Sequence, residues 1–165
     1  MAEYQLNWQA TTNSSAGTFD QFIELKASAG VTIVVKRLRV SFPGSASGAP
    51  NDYVAQIKLL RNTAGGAGGS AAPAAGTQGN ITKLRTNAPA SIVTATVKNG
   101  TASFTTGTNY DVPIWEAVNT RSVFEWIAAD QEEWVETNAT GNYIAVALAC
   151  SAASQVFNAT ITWEE

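Results

Sequence analysis

The stretch from Phe124 to Leu148, FEWIAADQEEWVETNATGNYIAVAL, is where the fold of this chain is easiest to read. In its second half Ile144, Val146, Leu148 and, two residues on, Cys150 share one parity, while Tyr143, Ala145, Ala147 and Ala149 share the other. A period of two that keeps every large aliphatic on one side predicts a strand laid on a core. The run that begins at Phe124 predicts another. Between them Asp130, Glu132, Glu133 and Glu136 surround Trp134, and such an acidic connection is either a contact surface or a solvated corner.

Working outward, the same periodicity recurs. Tyr4, Leu6, Trp8 and Ala10 alternate with Gln5, Asn7 and Gln9, predicting a half-buried N-terminal strand or arm over 3–10. Phe19, Ile23 and Leu25 form one face of the next run and leave Phe22 isolated among Asp20 and Glu24, so Phe22 is a candidate interface residue. In Val31 to Phe42 the apolar parity changes near Val35 and Lys36, which predicts a β-bulge or a crossing between sheets. Tyr53, Ala55, Ile57 and Leu59 mark a strand to Arg61, and Phe157, Ala159, Ile161 and Trp163 mark a last one.

The connections carry turn chemistry. Residues 43–50, PGSASGAP, read as a loop, and Asn99-Gly100 between alternating runs predicts a hairpin of Ile92–Lys98 with Thr101–Thr106. Residues 107–121 read as an irregular connection. Residues 62–79, NTAGGAGGSAAPAAGTQG, form a flexible Gly/Ala loop with nothing to pack a core; they lack the Gly-Lys-Ser/Thr of a phosphate-binding loop. About nine strands and no 3.6-residue period predict an all-β, antiparallel β-sandwich of jelly-roll type, one domain over 1–165.

Composition narrows the chemistry. The chain of 165 residues is long enough for a single core without staples, and only 14% of it is charged. It contains no histidine, which excludes histidine-based triads, His-ligated zinc and the usual neutral-pH general base. The lone Cys150 has core parity and is a poor nucleophile. Carboxylate pairs drawn from Glu116, Glu125, Asp130, Glu132, Glu133 and Glu136 favour no one cleft, and their spacing lacks a calcium-loop pattern. The expectation is no enzyme activity, no cofactor and no metal.

Charge is split along the chain. Residues 26–98 hold nine Lys and Arg against Asp52, whereas residues 99–165 hold nine acids against Arg121. Such a split suits ion pairs within the fold or complementary surfaces between subunits. Arg37, Arg39 and Arg61 on one side, and Glu132, Glu133, Trp134 and Glu136 on the other, are therefore candidate subunit or partner contacts. The acidic balance and the absence of an aromatic RNA-binding signature speak against nucleic acid. No leader pattern opens the chain and no long apolar run predicts a membrane span.

The arrangement KRLRVSF at 36–42, VAQIKLLRN followed by the Gly/Ala loop, NAPASIVTATV, FEWIAADQEEWV, GNYIAVAL and a terminal ATITWEE resembles the jelly-roll head decoration, or cement, proteins of tailed bacteriophages. The resemblance is one of pattern over about Val31 to Glu165. It implies a non-enzymatic homo-oligomer, a trimer in many members, made in the bacterial cytoplasm and seated on the outside of a phage head, where it binds across major capsid subunits. The alternative is a carbohydrate-binding or host-attachment module of the particle, with Trp115, Trp126 and Trp134 stacking on sugar rings.

Overall fold

A computed structural model of the chain describes residues 1–12, 18–28, 30–45, 53–72, 80–99, 104–119, 123–129, 134–136, 142–152 and 154–165, with the backbone alone considered at 43–45, 109–119 and 134–136. The strands are β1 (Glu3–Thr11), β2 (Asp20–Lys26), β3 (Ile33–Ser45), β4 (Val54–Asn62), β5 (Ser70–Ala71), β6 (Thr82–Lys83), β7 (Thr94–Val97), β8 (Asn109–Asn119), β9 (Phe124–Ile127), β10 (Trp134–Glu136), β11 (Tyr143–Cys150) and β12 (Gln155–Glu164). All of their pairings are antiparallel.

They build a sandwich of two sheets. The first, sheet A, runs β10-β3-β12-β1-β6, with β9 also on β3; the second, sheet B, runs β5-β7-β2-β11-β4-β8. The chain changes sheet from β1 to β2, β2 to β3 and β3 to β4, and again from β8 to β9, β9 to β11 and β11 to β12, whereas β4 and β8 pair within sheet B. One core lies between. Tyr4, Leu6, Leu38, Val40, Phe157, Ile161 and Trp163 come to it from sheet A, and Ile23, Leu25, Ile57, Leu59, Ile144, Val146 and Leu148 from sheet B. Burying each such aliphatic stabilises the fold by about 1.5–3 kcal/mol, which is why the alternating residues decide strand orientation.

The parity change in β3 is a bulge. Thr162 of β12 lies opposite Arg37 and Trp163 opposite Val35, so Lys36 is the extra residue, as the sequence pattern predicts. The bulge also divides the outer edge of β3. β10 pairs with Ile33–Val35 and β9 with Arg37–Val40, and Ala128 N donates to Lys36 O at 2.9 Å where the chain leaves β9.

A second bulge corrects the reading of Phe22. Val146 lies opposite Ile23 and Ala147 opposite Gln21, leaving Phe22 as the unpaired residue. One extra residue reverses the parity upstream, so Phe22 and Ile23 both turn inward. Phe22 is fully buried, edge-on to Phe157 with ring centroids 5.8 Å apart, and is a core residue rather than an interface one. Phe19 turns instead to the outer side of sheet B, beside Leu60, Ala145 and Ala147, with Lys58 Nζ 4.0 Å above its ring.

Other expectations also change. β7 has β2 on one side and β5 on the other, so no edge remains for Phe104–Thr106 to close the expected hairpin; Thr105 bridges Asp20 and Ala67 instead. Residues 109–119, read as irregular, form the eleven-residue strand β8 along β4. Within 62–79 the described part is built into sheet B: β5 joins β7, and Thr63 N donates to Thr108 O at 2.8 Å. Residues 73–79 and the centre of the acidic turn, 130–133, lie outside the described residues.

Candidate interaction face

The outer face of sheet A gathers two of the candidate residues, Arg37 and Arg39. On β12 the inward row Phe157, Ala159, Ile161 and Trp163 forces Asn158, Thr160 and Thr162 outward, where they meet Gln9, Asn7 and Gln5 of β1 and Ser41, Arg39 and Arg37 of β3. β9 extends these rows with Glu125 opposite Arg39 and Ile127 opposite Arg37. The result is a surface of amide, hydroxyl and guanidinium groups.

Charges on it are largely paired within the chain. Arg37 binds Glu125 through both Nε, at 2.7 Å, and Nη2. Both side chains are well exposed, so this pair contributes at most about 1 kcal/mol. Lys36 Nζ lies 3.6 Å from Glu164. In both cases the basic middle of the chain meets the acidic last third, and the charge split closes partly inside one copy. Arg39 is exposed, and beside this cluster Ile127 is 63% exposed.

The remaining candidates are distributed differently. Arg61 sits on β4 in sheet B, opposite Ile144 and Asp111, so the three arginines do not form one set. The β10 backbone sets Trp134 opposite Val35 and Glu136 opposite Ile33, which brings the acidic stretch to the β3 edge; their side chains, and Glu132 and Glu133 altogether, lie outside the described set. Of the tryptophans, Trp126 packs against the core, Trp163 is buried over Tyr4 with its Nε1 donating to Glu165 at 3.0 Å, and Trp8 Nε1 donates to Lys98 O at 2.7 Å.

The opposite face holds a buried polar cluster that strand periodicity hides. Gln21 and Glu24 both face outward from β2 because the Phe22 bulge sits between them. Gln21 Nε2 donates to Glu24 Oε2 at 2.6 Å, Gly66 N donates to the same oxygen at 2.7 Å, and Asn62 Nδ2 donates to Gln21 Oε1 at 3.2 Å. Burial pushes the Glu24 carboxyl above its ordinary range, against the downward pull of the Gly66 N–H, Gln21 and Lys26. Glycines let the chain lie this close: a Cβ on Gly66 would stand 2.7 Å from both Gln21 Nε2 and Phe104, and one on Gly69 2.7 Å from Phe104.

At the neighbouring end of sheet B, Lys98 Nζ is 3.5 Å from Asp20 Oδ1, both essentially buried. Burial lowers the Lys98 ammonium and Asp20 draws it back up. The signal in the sequence for the close approach of this chain to sheet B is the glycine run at Gly65, Gly66 and Gly69 with Gly107, legible only once Phe104 is known to lie beneath Gly66 and Gly69.

A cavity of about 610 Å³ opens at one end of the sandwich among Tyr4, Val31, Pro89 and Ile92. Its polar rim is occupied: Tyr4 donates to Pro89 O at 3.1 Å, and the Glu165 carboxylate accepts from Ser91, Ile92 N and Trp163. No helix among the described residues is long and apolar enough to cross a membrane. Comparison of the chain with protein-family models, with curated proteins and with solved structures returned no match.

Proposed function

We propose that the chain is a non-enzymatic structural protein of a tailed-phage virion, which decorates and stabilises the head by binding across major capsid subunits. The reading rests on the sequence resemblance. The observation that carries it in the structure is the outer face of sheet A: polar rows with Arg39 and Ile127 exposed beside the Arg37–Glu125 pair. Exposed charges of this kind set orientation and encounter rate more than affinity, which suits a protein that must settle on a repeating shell.

Strand order supports the jelly-roll part of the reading. β1-β12-β3-β9 in one sheet and β2-β11-β4-β8 in the other is the order of an eight-strand double Greek key, with β6 added on β1, β7 and β5 added beyond β2, and β10 sharing the β3 edge with β9. The sugar-binding alternative is weakened at Trp126, which packs partly buried against the core, while the side chains of Trp115 and Trp134 lie outside the described set. Self-assembly, as a trimer by the resemblance, and a place on the outer surface of the head belong to the same proposal. Nucleic acid and membrane are not among its partners.

The test is addition of the purified protein to heads that lack it, followed by sedimentation and electron microscopy. Saturable binding at fixed positions of the shell, weakened by salt, is the expected result. Failure to sediment with heads at any ionic strength would overturn the reading.

A further inference from the structure

Asp20 and Lys98 carry opposite charges into the interior of the sandwich. Asp20 lies opposite Leu148, a core residue of β11, so upstream of the Phe22 bulge its carboxyl turns to the side of sheet B that faces sheet A. The Lys98 side chain is fully buried and that of Asp20 is 4% exposed, with Nζ 3.5 Å from Oδ1. The pairs Arg37–Glu125 and Lys36–Glu164, by contrast, leave both partners a quarter or more exposed.

The backbone on either side of the buried pair is tied down. Lys98 N donates to Phe22 O at 3.0 Å, Gln21 N donates to Phe104 O at 2.8 Å, and Asp20 forms a bridge with Thr105. From the other sheet, Trp8 Nε1 donates to Lys98 O at 2.7 Å. An amine and a carboxyl held side by side on fixed strands, and shut off from solvent, need little further ordering to meet. The interior also disfavours a charged pair. Passing one proton from Nζ to the carboxyl makes both groups neutral and leaves the amine nucleophilic. Burial lowers the Lys98 ammonium in this sense, while Asp20 opposes it.

We propose that Asp20 and Lys98 are the site of an intramolecular isopeptide bond, which ties the start of β2 covalently to the end of β7. The Nζ lone pair attacks Cγ of the protonated carboxyl, the bond from Cγ to the hydroxyl oxygen breaks, and that hydroxyl leaves as water with a proton from the nitrogen. One ammonium and one carboxylate become one secondary amide and one water. Nothing is oxidised or reduced, and no co-reactant enters. The product replaces two buried charges with a neutral amide, so the surroundings that make the ion pair costly favour condensation. The bond would close β2 to β7 into a covalent ring within one subunit.

Intact-mass spectrometry of the folded full-length wild type, kept for days at neutral pH and then denatured, tests the proposal. The expected mass is one water below that of the sequence, allowing for removal of Met1. Trypsin should then fail to cut after Lys98 and release a branched peptide in which Asp20 and Lys98 are joined. Lys98→Met, which keeps the aliphatic bulk, should retain the full mass.

A wild type that keeps its full mass would overturn the proposal and leave the two residues an ion pair, whether or not the variant folds. A water loss that maps to other residues, or that persists in Lys98→Met, would overturn it equally. Binding to heads plays no part in these measurements, so the result is independent of the shell assay.

Discussion

The two outer faces of this sandwich share a strand geometry and treat it in opposite ways. Sheet A leaves Gln9, Arg37, Arg39 and Ile127 exposed, although Thr162 and the side-chain oxygens of Asn7 and Asn158 are shut off from solvent. On sheet B, Leu60, Ala145, Ala147, Gln21 and Glu24 are buried although they point away from the core between the sheets. Residue size explains part of the contrast. Alanines on β11 and glycines at 65, 66, 69 and 107 let a second layer of chain approach the backbone of sheet B. The larger Gln9, Arg37 and Arg39 on sheet A stay exposed.

The comparison breaks most visibly at the β2 bulge. Phe22→Ala should cost about 3–5 kcal/mol in urea unfolding, whereas Phe19→Ala should cost about 1 kcal/mol or less. Equal losses would mean that the bulge does not divide the two residues between core and outer face. Next come the glycines. A Cβ on Gly107 would sit on the Ala64 carbonyl oxygen, and Gly107→Ala should cost about 1–3 kcal/mol by the same assay while leaving sheet A intact by amide exchange.

Glu24→Gln sharpens the comparison through pH. The folded-state pKa of Glu24 is raised by burial, so its contribution is present in full below the ordinary carboxyl range and is lost as pH rises through the folded value. The glutamine keeps an acceptor for Gly66 N–H and does not ionise. Relative to the wild type, Glu24→Gln should therefore gain stability as pH is raised from the carboxylate range toward neutrality. A difference that moves the other way would show the hydrogen bonds outweighing desolvation. The smallest effect belongs to sheet A: Arg37→Ala should change thermal unfolding by less than about 1 kcal/mol, because both partners of Glu125–Arg37 are exposed.

What the sequence made legible follows the same division. Alternation in β1, β11 and β12 and the parity change at Lys36 led to the sandwich, because each strand has one fully buried face. Phe22 misled because a bulge is invisible where both Phe19 and Phe22 are aromatic and either register looks plausible. The Gly/Ala segment misled for a different reason. Its residues contribute almost no side chain, so hydropathy is silent, and their role lies in how near they let Phe104 and Glu24 come. Arg61 was grouped with Arg37 and Arg39 by charge alone, and charge carries no information about which sheet a strand joins. The pairing of Arg37 with Glu125 was outlined by the charge split but required the β3–β9 register to be seen.

The division between a covered and an open face is tested most directly by hydroxyl-radical footprinting of the protein free and bound to heads. Ile127 on sheet A and Val54 on sheet B, 63% and 51% exposed, are matched reporters. Binding through sheet A predicts strong protection of Ile127 with little change at Val54. Protection of Val54 while Ile127 stays reactive would contradict the account.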